Sequence, residues 1–189
     1  MGKKFYNIIY LDPPWHYSDK CRSGERGVEY KYPVIKPKDL KRLDVGSLAA
    51  EDCVMFMWVT APQLPVGLEL MQQWGFTYKT FGFVWVKTTK AGDFSMGMGH
   101  YTRSNAELVI LGTRGRPKRV SAAVRQVVSA PRGKHSAKPE EVRERIVDLM
   151  GDVPRVELFA RDSAEGWDCI GNEIDGQDIF DVVGLTDSE

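Results

Sequence analysis

The chain has 189 residues, 42% of them hydrophobic, and its 26 Lys and Arg balance 26 Asp and Glu to zero net charge. That length and composition predict a single globular domain, residues 1–189, with a core of its own, and exclude a fibrous or disordered chain. No apolar run approaches the roughly 20 residues needed to cross a bilayer, so no membrane partner is expected.

In chain order, Tyr6 to Leu11 reads as a buried strand stopped by Pro13-Pro14, and its apolar run is too short for a secretory signal. Ser18 to Lys36 is polar and rich in Gly, Lys and Tyr, which predicts a loop. Pro37 to Ala50 reads as a short helix, Cys53 to Val59 as a second buried strand, and Pro65 to Trp74 as a helix stopped by Gly75. Phe81 to Val86 is a third strand, and the glycine-rich, aperiodic stretch Thr88 to Asn105 a loop. Glu107 to Leu111 and Arg125 to Ser129 are a fourth and a fifth strand. Pro139 opens a helix at its favoured first position, with Glu140 and Glu141 near the positive end of the dipole, and Gly151 closes it after Met150. Arg155 to Phe159 is a sixth strand. Ile179 to Val183 reads as a seventh, or else as part of a frayed acidic tail.

Buried strands alternating with helices predict an α/β fold with a mainly parallel sheet. Ligands of such sheets sit at the carboxyl ends of the strands, which places Asp12, Thr60, Lys87, Gly112 and Arg161 on or near one edge. The three cysteines, Cys21, Cys53 and Cys169, are odd in number and widely spaced. They point to a reducing, cytoplasmic setting with no disulfide framework and no metal site.

Asp12-Pro13-Pro14-Trp15 follows the first strand directly. These residue types suit methylation of an exocyclic amine. The N6 lone pair of adenine is delocalised into the ring, and acceptors bonded to the amine hydrogens favour a more tetrahedral nitrogen. Asp12 supplies one acceptor. The carbonyl of Pro13 supplies another, aimed by the fixed backbone of the proline pair. Trp15 offers a flat face on which a base can stack, worth about 1–3 kcal/mol. Lys138 stands just before a helix start, where backbone N–H groups and the dipole also favour anions.

With these residues in place the chain resembles the N6-adenine methyltransferases related to the catalytic subunit of the eukaryotic messenger-RNA adenosine methyltransferase, the MT-A70-like family in its small bacterial or phage form. The resemblance runs from about Tyr6 to Gly176. Its markers, in order, are Leu11-Asp12-Pro13-Pro14-Trp15, Tyr32-Pro33, Trp58-Val59-Thr60, Trp74-Gly75-Phe76, Val84-Trp85-Val86-Lys87, Gly99-His100-Tyr101 with Glu107, His135-Ser136-Ala137-Lys138-Pro139, Glu157-Leu158-Phe159-Ala160-Arg161 and Gly171-Asn172-Glu173. It implies a Rossmann-like S-adenosylmethionine-dependent methyltransferase fold with helices on both faces of the sheet. It also implies a permuted motif order, the catalytic tetrapeptide preceding the cofactor motif.

By the same resemblance Asp12, Pro13, Pro14 and Trp15 are catalytic, and Lys138 binds the methionine carboxylate of S-adenosylmethionine, with Ser136 and His135 near enough to help. Phe159 and Arg161 line the cofactor pocket, with Arg161 and Glu157 reaching polar groups of the nucleoside, Asn172 and Glu173 hold the ribose hydroxyls, and Glu107 and Tyr32 border the target base. Two departures are visible: Ala160 stands where the family usually has Gly, and Ala164 where it often has Asn. Because the first strand opens the chain, the acidic contact to the cofactor's adenine is expected from elsewhere, with Asp178 as the candidate.

Charge adds a partner. Eight Lys and Arg and no acid lie between Arg114 and Lys138, whereas nine acids and no Lys or Arg lie between Asp162 and Glu189. Lys87, Lys90, Arg103, Arg114, Arg116, Lys118 and Arg119 are the candidates for phosphate contact, DNA being favoured over RNA for a chain with no added RNA-binding module. An RNA adenosine N6-methyltransferase and an inactive nucleic-acid-binding partner subunit are the alternatives. A dinucleotide or P-loop enzyme is disfavoured, because Gly97-Met98-Gly99 lacks the third glycine and the helix that those motifs require.

Overall fold

A computed structural model describes residues 4–15, 35–97, 99–133, 137–174 and 178–186. Seven strands form one sheet: β1 (Tyr6–Leu11), β2 (Ala49–Val59), β3 (Thr77–Thr88), β4 (Ala106–Arg114), β5 (Val127–Pro131), β6 (Arg155–Leu158) and β7 (Asp168–Ile170), in the order β5-β3-β4-β2-β1-β6-β7. β1 and β2 are central, and Cys53 to Val59 is buried throughout. Covered on both faces, these strands need the unbroken apolar runs seen in the sequence. β2–β1–β6–β7 and β3–β5 pair in parallel, and β4 alone runs against its neighbours β2 and β3. The sheet is therefore mainly parallel, as expected.

Two core clusters lie on the two faces. Helix α1 (Pro37–Leu40) gives Leu40 to the first, and α2 (Leu64–Gln73) packs Leu70 and Met71 there with Ile9, Leu11, Met55 and Met57. Gly67 lets α2 approach β2, since a Cβ at that position would stand 2.6 Å from a Val59 methyl carbon. On the other face α3 (Glu141–Met150) sets Val142 and Ile146, one helical turn apart, against Ile8, Tyr10, Phe56 and Phe83. Burying side chains of this size contributes roughly 1.5–3 kcal/mol each.

The structure corrects several expectations. Pro37 to Ala50 is not one helix: α1 is a single turn, a 3-10 turn spans Val45–Leu48 with Asp44 capping the Ser47 N–H, and Ala49 and Ala50 already belong to β2. α3 begins at Glu141, two residues after Pro139, with Glu140 as its cap. Ile179–Val183 is a helix, α4, rather than a strand. Its first N–H groups are satisfied by Asp178, whose carboxylate accepts from Phe180 at 2.9 Å, and by the Asn172 side-chain oxygen, which accepts from Ile179 at 3.2 Å. Ile179 and Val183, spaced by four, both turn into the core. The seventh strand is instead Asp168–Ile170, paired with β6.

Candidate active site

The carboxyl ends of β1, β2, β3, β5 and β6 share one edge of the sheet, and the reversed β4 brings its amino end there. Glu107 therefore stands at this edge, while Gly112, Arg114 and Arg116 stand at the opposite one. The Arg114 guanidinium donates to the Gly46 carbonyl at 2.7 Å, and the Arg116 N–H donates to Asp52 at 2.7 Å. The expectation that these two arginines join Asp12 is not met, because reversal of the strand carries them to its far end.

Asp12, Lys138, Glu107 and Lys87 form a line of alternating charges across the active edge. The Lys138 ammonium lies 2.7 Å from the Asp12 carboxylate and 3.3 Å from that of Glu107, and Glu107 also accepts from Lys87. All four side chains are at least three-quarters or so covered, at 17–26% exposure. Burial alone pushes the Glu107 carboxyl up, but Lys138 and Lys87 outweigh it and hold the group below its ordinary range. Burial likewise disfavours the Lys138 ammonium, and the two carboxylates more than restore it, leaving the group above its ordinary value. Both remain charged at neutral pH.

Trp58, at the end of β2, organises this line from below. Its indole N–H donates to the Tyr10 hydroxyl at 2.6 Å, and its ring carries the Lys138 ammonium 5.3 Å above its centre. Its carbonyl accepts from the indole N–H of Trp15 at 3.1 Å. Trp15 is only 6% exposed and packs in the core. The expectation that its face is open to a base is corrected: the ring anchors the Asp12–Trp15 turn from inside. Pro13 is also buried, and its carbonyl already accepts the Trp15 N–H at 2.8 Å. One lone pair of that oxygen is thus used, of the two a carbonyl has. Pro14 bonds the chain at Ile35 through its carbonyl, at 3.1 Å.

On one side of the charge line is a small pocket of about 70 Å³ lined by Tyr10, Asp12, Lys138, Arg143, Glu157, Phe159 and Arg161 among others. Five of the seven residues expected to hold the cofactor thus converge. Asn172 and Glu173 sit on the turn beyond: Asn172 serves the start of α4, and Glu173 faces Arg161 at 3.7 Å. Asp178 caps α4 with its own side chain. Phe159 adopts φ 61°, the one non-glycine residue at positive φ among those described. Such a conformation costs on the order of 1–3 kcal/mol and concentrates at ligand sites.

Glu157 is the most perturbed carboxyl of the pocket. Burial raises it from 4.5 to about 7, Asp12 and Asp162 push the same way, and Arg143 opposes them. The Arg143 guanidinium lies 3.2 Å from its Oε2, yet the geometry makes no hydrogen bond, and among the described residues that buried oxygen has no donor. The pair is charge proximity without alignment.

On the other side of the charge line, Trp85, Lys87, Glu107, Arg132, Gly133 and Ala137 line a wider hollow of about 460 Å³. Arg143, Arg132, Tyr10 and Trp58 were not foreseen as site residues. The only sequence signals for them are a cation one turn into the helix after Lys138, a cation just after β5, and aromatics ending buried strands. Tyr32, His135 and Ser136 lie outside the described residues. Arg103 is exposed on the loop between β3 and β4. Among the described residues no helix is long and apolar enough to cross a membrane.

Residues 6–173 match the MT-A70 family. The type II methyltransferase M.MunI from a Mycoplasma species is 36% identical over 192 residues, covering 92% of this chain and 80% of that protein. The mouse N(6)-adenine-specific methyltransferase METTL4 is 30% identical over 187 residues, and the human N(6)-adenosine-methyltransferase catalytic subunit METTL3 is 26% identical over 186. The chain spans 38% of the length of METTL4 and 30% of that of METTL3.

Proposed function

This chain belongs to the MT-A70 family, and on that premise we propose that it transfers a methyl group from S-adenosylmethionine to N6 of adenine in DNA. The observation that carries the reading is the meeting of Asp12, from the tetrapeptide after β1, with Lys138 and with Glu157, Phe159 and Arg161 around one pocket, three stretches that lie apart in sequence. The near full-length match to M.MunI supports DNA over RNA as the substrate.

The charged lining of the pocket matches the methionine end of the donor. A methionine moiety carries an ammonium and a carboxylate, and the pocket offers Asp12 and Glu157 to the one and Lys138 and Arg143 to the other. The buried Glu157 oxygen without a donor is an acceptor ready for an N–H or O–H. Phe159 gives an apolar wall for the nucleoside, with Arg161, Asn172 and Glu173 beyond it. When bound, S-adenosylmethionine supplies an electrophilic methyl on a sulfonium.

The chain's own residues do the rest. Lys138 holds the Asp12 carboxylate in one orientation, and Asp12 accepts a hydrogen bond from the adenine amine. The second lone pair of the Pro13 carbonyl takes the other amine hydrogen. Both bonds draw the nitrogen lone pair out of the ring and aim it, so catalysis is mainly positioning. Asp12 need not take the proton first, because the nitrogen becomes acidic once methylated. The Asp12 motif comes first in the chain and the Phe159–Arg161 segment, after β6, comes late, an order that fits a permuted methyltransferase.

Labelled donor, offered with DNA and RNA and followed by nucleoside analysis, tests this. We expect N6-methyladenine in DNA, and with Asp12→Ala a fall of about a hundredfold or more with donor binding largely retained. A variant keeping most activity, or label on cytosine, overturns the reading.

A further inference from the structure

The chemistry above leaves the loop between β3 and β4 without a task, although three large apolar side chains stand out from it: Phe94 is 75% exposed, Met96 74% and Tyr101 96%. The loop is firmly built. At its root Thr88 bridges to Phe94, the Thr89 N–H donates to the Asp93 carbonyl at 2.8 Å, and the Ser95 N–H and hydroxyl both donate to the Lys87 carbonyl, at 2.9 and 3.0 Å. Farther out its two limbs touch backbone to backbone. A Cβ on Gly97 would stand 1.5 Å from the Ser104 carbonyl oxygen, and one on Gly99 2.0 Å from that of Thr102. Only glycine allows so narrow a finger. The root also belongs to the active edge: Lys87 pairs with Glu107, which pairs with Lys138, which pairs with Asp12. Exposed Lys90 and Arg103 flank the apolar residues against the single acid Asp93, and Arg132 lines the adjoining hollow.

We propose that this finger is a DNA wedge: when the target adenine turns out toward Asp12, the exposed ring of Tyr101 fills the space the base leaves in the stack, and Phe94 and Met96, nearer the root, add apolar surface along the finger. The proposal rests on the reading of the chain as a DNA adenine methyltransferase. In a duplex the adenine amine is paired and stacked, and Asp12 is recessed in its edge, so the base must leave the helix to meet it. The gap costs unstacking, which other DNA-distorting proteins offset by inserting apolar side chains between base steps. A device for this has to be slender, stiff, armed with an exposed ring far from its root, flanked by cations for the phosphates and rooted beside the pocket. The finger has each property. Its cations favour a polyanion over a second copy of the chain as the partner.

The wild-type enzyme is first used to map its methylated site on plasmid DNA. Two short duplexes then carry that site, one fully paired and one with an abasic position opposite the adenine. Methyl transfer is measured for the wild type and for Tyr101→Ala, and for the triple variant with Phe94→Ala and Met96→Ala. We expect the variants to lose about tenfold or more on the paired duplex and little on the abasic one, where the base is already loose. With 2-aminopurine at the target position, the fluorescence rise on binding should shrink in parallel, while donor affinity stays unchanged. Equal losses on both duplexes, no loss on either, or a variant that changes the oligomeric state in sedimentation overturns the wedge and leaves the methyltransferase reading intact. A wild type that leaves the plasmid DNA unmethylated overturns both.

Discussion

Glu157 binds its proton more tightly in the folded chain than in the unfolded one, because burial outweighs Arg143. Between its ordinary 4.5 and about 7 the folded state therefore holds more of the proton, and stability on this account falls as pH rises through that window, by up to about 3 kcal/mol. Glu157→Gln removes the dependence. In melting experiments without cofactor, the variant should gain on the wild type as pH climbs from 4.5 to about 7 and hold that gain above it. A constant offset across the range would refute the shift. At this scale Asp12 and Lys138 could be singled out from the chemistry of their surroundings, and Glu157, Phe159 and Arg161 only through the family resemblance; all five line one pocket. It misled at Trp15, because whether an indole faces solvent or core is decided by what packs on it, here β2 through the Trp58 carbonyl. Arg143 and Arg132 could not be told from solvated cations until the sheet placed them beside a carboxylate and a hollow.

Among the elements, the end of β6 and the turn after β7 depend on one glycine. A Cβ at Gly171 would meet the Ala160 carbonyl oxygen at 2.1 Å and its nitrogen at 2.7 Å. Gly171→Ala must push that turn away from β6 and disturb Phe159 and Arg161. We expect a loss of about 2 kcal/mol in denaturant unfolding and donor binding weakened by about tenfold. Gly75→Ala is the comparison: its φ of 83° strains an added side chain but nothing lies within 4 Å. It should cost about 1 kcal/mol and leave donor binding alone. Equal effects of the two on binding would show that the Gly171 contact does not shape the pocket. Strand cores were readable from their buried runs. β2, β3 and β4 extend beyond the expected limits through residues such as Glu51, Asp52, Lys79 and Arg114, which are exposed and break the buried apolar runs by which strands are read. α4 was missed because Ile179 and Val183 suit either period, and the capping by Asp178 and Asn172 decides it.

For the molecule as a whole, the basic stretch from Arg114 to Lys138 is split between two edges of the sheet. Arg132 and Lys138 lie on the active edge, Arg114 and Arg116 on the other. DNA held at the active edge should feel only the first group. Arg132→Ala and Arg103→Ala are each expected to weaken binding and to lower the slope of log affinity against log salt by about one, the mark of a lost phosphate contact. Arg116→Ala is expected to change neither. A slope that responds to Arg116 as it does to Arg132 would mean that the duplex also reaches the far edge. Which arginine goes where could not be read from periodicity, since strand direction leaves no trace in an apolar run; the directions of β4 and β5 decide it.

That one backward strand has an evolutionary consequence. By joining β3 to β4 as neighbours in opposite directions, it puts their connection at the edge of the sheet where Lys87, Glu107, Lys138 and Asp12 meet. Connections of this kind tolerate growth cheaply, each doubling in length costing only about 0.6 kcal/mol. Relatives could therefore exchange this segment for longer or differently shaped ones and acquire new target sequences, while the machinery that holds the methyl donor is inherited unaltered.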